Sequence, residues 1–132
     1  LTPHPGEMAR VWQSVFRKVM PEDRKTAAQE LADKISAIIV LKGHGTVVAD
    51  PERVYVNTTG NPGMATGGTG DVLTGVIAAL WGQGMEPFDA AVLGTYIHGL
   101  AGDMAAKEQG QVSLIATDII EALSRAFQTA GK

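Results

Sequence analysis

The stretch Asn61-Pro62-Gly63-Met64-Ala65-Thr66-Gly67-Gly68-Thr69-Gly70-Asp71 runs straight into Val72, Leu73, Val76, Ile77 and Leu80, apolar positions at helical spacing. A glycine-rich loop therefore feeds a helix amino terminus. Glycines let the backbone turn its amides toward an anion, and the first amides of the helix add a positive dipole end at the same place. Such a loop can cradle a phosphate. It is not a Walker loop, because no lysine follows the last glycine, and it is not a dinucleotide fingerprint, because no plain strand precedes it. Asp71 would repel phosphate at this spot unless it acts on the incoming nucleophile, accepting a hydroxyl proton as that oxygen attacks phosphorus. An aspartate there equally caps a helix or offsets its dipole, and spacing alone leaves the two readings open.

The flanking sequence reads as strands, loops and helices in alternation. Met8, Val11, Trp12, Val15, Phe16 and Val19 mark an amphipathic helix over residues 7–20. Pro21 is placed to open a second helix, with Glu22 and Asp23 against its dipole, Leu31 and Ile35 on its buried side and an end near Lys34. Residues 37–41 form an apolar run of the kind that a parallel sheet covers on both faces. Lys42-Gly43-His44-Gly45 follows as a loop. Residues 46–49 and 53–56 form a hairpin about Asp50-Pro51-Glu52. A helix over residues 87–107 carries Gly94, Gly99 and Gly102, which let another element approach closely. Thr117 caps a last helix with Ile119, Ile120, Leu123 and Phe127 as its stripe. Leu1-Thr2-Pro3 reads as the last step of a strand entering a turn. The pattern is α/β, with ligands expected at the carboxyl ends of the strands. A sheet needs buried neighbours, and since only one strand reads as fully buried, the others are expected upstream or in another chain.

Composition narrows the function classes. The 132 residues, 45% hydrophobic and 19% charged, suit one globular domain. A net charge of −3 with no basic block disfavours nucleic acid and anionic membrane surfaces as partners. The absence of cysteine removes disulfides, thiolate nucleophiles and thiolate metal sites, and fits a cytoplasmic location. No apolar run approaches the roughly 20 residues that cross a bilayer. His98 and Asp103 invite a metal or acid–base reading, but five positions do not share one helical face, and helix packing is the plainer expectation. Trp12, Trp81 and Phe88 read as packing residues, since no basic residues interleave with them.

These segments together resemble the bacterial ADP-dependent NAD(P)H-hydrate dehydratases of the ribokinase-like superfamily. The resemblance lies in residues 2–10 (Thr-Pro-His-Pro-Gly-Glu-Met-Ala-Arg), in Leu41-Lys42-Gly43 with Gly45-Thr46, in residues 60–75 and, more weakly, in residues 96–103. It implies a three-layer α/β/α architecture of which residues 1–132 are the carboxyl-terminal half, with a small hairpin. The implied activity is repair: ADP-dependent dehydration of the S form of NAD(P)H hydrate, through phosphorylation of the ring hydroxyl and expulsion of phosphate. By motif match Asp71 is the base on that hydroxyl, and Gly68, Thr69 and Gly70 form the anion hole. His4 contacts the hydrate, while Lys42, Gly43, His44, Gly45 and Thr46, with Gly70, line the nucleotide site. On its residues alone, His4 reads instead as a turn histidine between prolines, and Lys42 as a solvated lysine in a surface turn.

The family's catalytic domain is about twice this length, so a companion half and an exposed sheet edge are expected, and the isolated piece is expected to be inactive without it. A homo-oligomer follows from the apolar helices and the family's habit. Magnesium is expected as a bridge between nucleotide phosphates, with no metal cluster of its own. Two other readings stay open. One is a small-molecule kinase with the same loop and a stable phosphorylated product, and the other is a catalytically silent nucleotide-binding module.

Overall fold

The computed structural model describes residues 1–131 and orders them into five α-helices and three short β-strands, with one 3-10 turn over Pro62–Met64. The chain divides into two compact units, Leu1–Asn57 and Thr58–Lys132.

In the first unit, helices α1 (Pro5–Phe16) and α2 (Arg24–Ile35) pack on a sheet of β1 (Ile39–Leu41), β2 (Val47–Ala49) and β3 (Val54–Val56). The side chains that hold it together are Met8, Trp12, Ala27, Ala28, Leu31 and Ala32 from the helices against Ile39, Leu41, Val47 and Ala49 from the strands. These strand residues alternate in sequence, so one face of the sheet supplies them all. β2 and β3 form the expected hairpin, with Val48 opposite Tyr55. β1 pairs antiparallel with β2, which differs from the parallel environment expected of residues 37–41. A parallel neighbour does exist on its other edge. Leu1 N donates to Ile38 O at 2.8 Å, Val40 N to Leu1 O at 2.8 Å and Lys42 N to Pro3 O at 2.9 Å, the slanted pattern of parallel pairing. Leu1, Thr2 and Pro3 thus pair alongside residues 38–42 before the chain enters α1, in keeping with the extended stretch entering a turn that their sequence indicated.

The helix boundaries differ where capping overrides periodicity. α1 stops at Phe16 because Arg17 turns left-handed, at φ 53°. Pro21 does not open α2; Asp23 is the cap, and its carboxylate accepts from Thr26 N at 3.4 Å and from the Thr26 hydroxyl at 2.6 Å. Ile35 is partly exposed rather than buried.

The second unit consists of α3 (Thr69–Gly82), α4 (Pro87–Gln109) and α5 (Ala116–Ala130), preceded by the glycine-rich loop. Ile97, Ala101, Ala105, Leu114, Ile119, Ala122 and Ala126 form its main core. α5 begins one residue before Thr117, with the Asp118 carboxylate accepting from Ile115 N at 2.9 Å in place of a threonine cap. Its stripe is only partly buried: Ile119 packs inward, whereas Ile120, Leu123 and Phe127 line an open apolar groove of about 380 Å³ with Val72, Val76 and Leu80 of α3. Of the three aromatic residues read as packing, Trp12 and Phe88 are buried but Trp81 is 60% exposed. No helix among the described residues is long and apolar enough to cross a membrane.

The hairpin turn depends on Asp50, whose carboxylate accepts from the amides of Glu52 (2.8 Å) and Arg53 (2.6 Å) and from the Arg53 guanidinium (2.6 and 2.7 Å). Burial pushes its pKa up, but the Arg53 side chain and the two amides outweigh this and hold it below the ordinary aspartate value. A carboxyl depressed in the folded state stabilises above its unfolded pKa and loses that contribution as pH falls through its folded one. The melting temperature of the native chain should therefore exceed that of Asp50→Asn by a constant margin above about pH 5, and the margin should close below about pH 4. A margin independent of pH from 3 to 7 would contradict the assignment.

Candidate functional site

The site residues fall into two groups, one in each unit. In the first unit, His4 is the amino-terminal cap of α1. Its Nδ1 accepts from Glu7 N at 3.1 Å, and its own amide donates to Glu7 Oε2 at 2.8 Å, a reciprocal capping box. With Nδ1 accepting, the neutral ring carries its proton on Nε2, which lies 3.5 Å from Glu7 Oε1. The His4 amide lowers the Glu7 pKa most; burial pushes the other way, and the Lys42 and Arg10 charges add to the lowering. The turn reading of His4 is thus correct as structure, and His4 remains exposed beside the chain that continues from β1. The Lys42 N–Pro3 O bond sets the loop of Lys42, Gly43, His44, Gly45 and Thr46 next to the start of α1.

That loop is held from behind by a residue the sequence did not single out. Arg24 Nη1 donates to His44 O (2.7 Å) and Gly45 O (3.1 Å), and Nη2 donates to Leu41 O and Lys42 O (both 3.1 Å). All four terminal guanidinium hydrogens are directed at backbone carbonyls, a fork that a lysine cannot reproduce. Across a trans peptide the N–H points opposite to the C=O, so the amides of Gly43, Gly45 and Thr46 face away from the guanidinium. Gly43 sits at φ +143°, and a Cβ there would lie 2.9 Å from Arg24 Nη2, so the position needs glycine. One signal did exist in the sequence. Arg24 is the first residue of α2, where a cation opposes the helix dipole and so calls for another role.

In the second unit, α4 is the template on which the glycine-rich loop is laid. The Thr59 hydroxyl donates to Tyr96 O at 2.8 Å. Asp103 accepts from Gly60 N and from Asn61 Nδ2, both at 2.9 Å, and Asn61 Oδ1 accepts in turn from Gly63 N at 3.0 Å. Met64 rests where Gly102 has no side chain, and Thr59 where Gly99 has none; a Cβ at either glycine would collide with it. Positions 96, 99 and 103 lie on one helical stripe, which explains why the loop follows α4. His98, on the adjacent stripe, reaches Thr69 O through Nε2 at 2.9 Å. His98 and Asp103 therefore form neither a metal site nor an acid–base pair with each other; they hold different parts of one loop. Among the described residues no group of three or more His, Cys, Asp or Glu side chains is placed to hold a metal.

The loop ends at the α3 amino terminus in an open state. Gly68 is the cap residue, left-handed at φ +88°, and has no side chain to offer the first amides. The Thr69 hydroxyl is engaged below, 2.8 Å from Met64 O and 3.0 Å from Thr66 O. Asp71 sits in the first turn of α3 with its side chain exposed. The structure thus brings together Gly68, Thr69, Gly70 and Asp71 in one unit, and His4 with Lys42, Gly43, His44, Gly45 and Thr46 in the other.

The chain is similar to several known proteins. Over 124 residues the chain is 53% identical to the bifunctional NAD(P)H-hydrate repair enzyme Nnr of Moorella thermoacetica, covering 93% of this chain and 23% of that protein. It is 43% identical to the ADP-dependent (S)-NAD(P)H-hydrate dehydratase of Neisseria meningitidis, covering 92% and 42%. The ADP/ATP-dependent NAD(P)H-hydrate dehydratase of Bacillus subtilis, crystallised with ATP and magnesium, superposes with a TM-score of 0.87 at 35% identity, over 98% of this chain and 47% of that one. Ribokinase from Thermotoga maritima shares the fold, with a TM-score of 0.60 at 21% identity. The chain thus spans less than half the length of each of these relatives. A family model described as NAD(P)H-hydrate dehydratase matches residues 1–125, and the chain belongs to that family, with a ribokinase-like α/β fold.

Proposed function

We propose that residues 1–132 are the carboxyl-terminal half of a catalytic domain that dehydrates the S form of NAD(P)H hydrate at the expense of ADP. The observation that carries this reading is the α3 amino terminus: no side chain caps it, and the exposed carboxylate of Asp71 directly follows the amides of Gly68, Thr69 and Gly70, of which Thr69 N also leans on Thr66 O at 3.5 Å. Amides alone would bind any anion; the carboxylate suits a site where an oxygen must lose a proton while it attacks phosphorus. The names of the Neisseria and Bacillus relatives supply the substrate and the nucleotide.

In this reading the Lys42, Gly43, His44, Gly45 and Thr46 loop, with Gly70, holds ADP, and His4 contacts the hydrate through the Nε2 side of its ring. Asp71 takes the proton of the ring hydroxyl as its oxygen bonds to the terminal phosphorus of ADP, and AMP leaves. The amides of Gly68, Thr69 and Gly70 hold the charge that gathers on the transferring group, already oriented before reaction. Phosphate then departs from the ring with a proton from the adjacent carbon, which restores the double bond of NAD(P)H. Water is thereby lost through a better leaving group than hydroxide. Magnesium would be held through the nucleotide's own phosphates and would offset their charge during transfer.

In the full-length protein with NADH hydrate, ADP and magnesium, NADH absorbance should return. Asp71→Asn should lower kcat by about 100-fold to 10,000-fold, the usual contribution of general-base catalysis, without loss of ADP binding. Release of a stable phosphorylated product without NADH would contradict the dehydratase in favour of a kinase. Arg24→Lys should raise KM for ADP about tenfold, one lost charge-assisted contact, and leave kcat within about threefold. Equal losses in kcat and kcat/KM with KM unchanged would mean that the Arg24 clamp does not shape the nucleotide site.

A further inference from the structure

We infer that His98 is a positioning residue for phosphoryl transfer, acting through the Thr69–Gly70 peptide. The inference rests on the assignment of residues 68–70 as the anion hole and assigns a role to a buried imidazole that the mechanism above leaves unused.

His98 is 9% exposed, and its Nε2 lies 2.9 Å from the Thr69 carbonyl oxygen. A carbonyl only accepts, so the ring carries its proton on Nε2 and donates it. Thr69 is the first residue of α3, and the amide on the far side of its carbonyl is that of Gly70. The Thr69–Gly70 peptide is trans, as are all peptides among the described residues, so fixing Thr69 O on the α4 side points Gly70 N–H the opposite way, out of the loop. A hydrogen bond to the oxygen of a peptide also polarises it and strengthens its N–H as a donor. Both effects bear on the one amide in the loop that is followed directly by Asp71.

Two features separate this role from plain packing. The rest of the loop is already anchored on α4, by Asp103 at Gly60 and Asn61, by Tyr96 O at Thr59 and by Gly102 under Met64. His98 alone among these contacts reaches the turn that carries the proposed anion hole. The Thr69–Gly70 peptide is the first of α3, with glycines on both sides of Thr69 and a left-handed Gly68 before it, and the His98 donor ties this first turn of the helix to α4. An alkyl side chain of similar size would fill the space but would not orient the peptide.

The test compares His98→Gln with His98→Asn. Both side chains are neutral amides, but glutamine can place its amide nitrogen near the imidazole Nε2, whereas asparagine stops short at Nδ1. In the full-length protein His98→Asn should lower kcat about 100-fold, the scale of a 1 Å misplacement, with KM for ADP and NADH hydrate within about threefold. His98→Gln should recover at least a tenth of native kcat. Binding separates this inference from the reading beneath it. AMP with aluminium fluoride, in which the fluoride complex takes the place of the phosphoryl group that ADP transfers, should bind more tightly than AMP alone to the native protein and to His98→Gln, and should lose that advantage in His98→Asn while AMP affinity stays level. Native-like kcat in a folded His98→Asn protein, or equal losses in both variants, would overturn the role of His98. If NADH hydrate is not consumed but the aluminium fluoride pattern holds, the substrate assignment fails and the role of His98 stands. If His98→Asn does not fold, His98→Gln decides alone: a kcat below a hundredth of native in that folded variant overturns the proposal.

Discussion

Backbone carbonyls in both candidate loops are gripped from one side, and this directs the amides of the same peptides to the other. In the first unit the grip is the Arg24 guanidinium on the carbonyls of Leu41, Lys42, His44 and Gly45. In the second it is the His98 imidazole on Thr69. A glycine-rich chain has much conformational freedom to lose, and an anion site made of amides works only if that freedom is removed before the anion arrives. Neither grip comes from the loop itself. Each comes from a neighbouring helix, which makes the packing of those helices a precondition of the chemistry.

The glycines of α4 show what this arrangement costs and gains. A glycine inside a helix is about 1 kcal/mol less favourable than alanine, so Gly94, Gly99 and Gly102 weaken α4 as a helix. In return Gly94 admits Ile77 of α3, Gly99 admits Thr59 and Gly102 admits Met64. The last two let the loop lie against the helix closely enough for Asp103 to reach both Gly60 N and Asn61 Nδ2. Burial of Met64 and the satisfied amides offset the lost helix propensity.

Local chemistry was the part most legible in the sequence. The loop leading into α3, the hairpin about Asp50, the strand end at Leu1-Thr2-Pro3 and the small-residue face of α4 all follow from residue types at fixed spacings. The misreadings occur where a cap or a partner decides. Pro21 looks like a helix start, yet the Asp23 carboxylate can accept from the Thr26 amide and hydroxyl, and the helix starts where that bond forms. Ile120 and Phe127 continue a periodic stripe but line an open groove, because periodicity reports a face and not what lies against it. Arg24 and His98 were legible only as oddities, a cation at a helix start and a histidine whose partner was sought in Asp103, and not in the roles they hold. Their partners are backbone carbonyls 17 to 21 and 29 positions away, and a carbonyl has no identity in the sequence.

The central claim is that two sets of outward amides receive the nucleotide and the transferring phosphoryl group. It is tested most directly by backbone amide chemical shifts in the full-length protein titrated with AMP and magnesium, and then with aluminium fluoride. The account predicts that the amides of Gly43, Gly45 and Thr46 shift with AMP alone, and that those of Gly68, Thr69 and Gly70 move downfield once aluminium fluoride is added. Shifts that leave residues 68–70 unmoved, with the complex bound elsewhere, would contradict it.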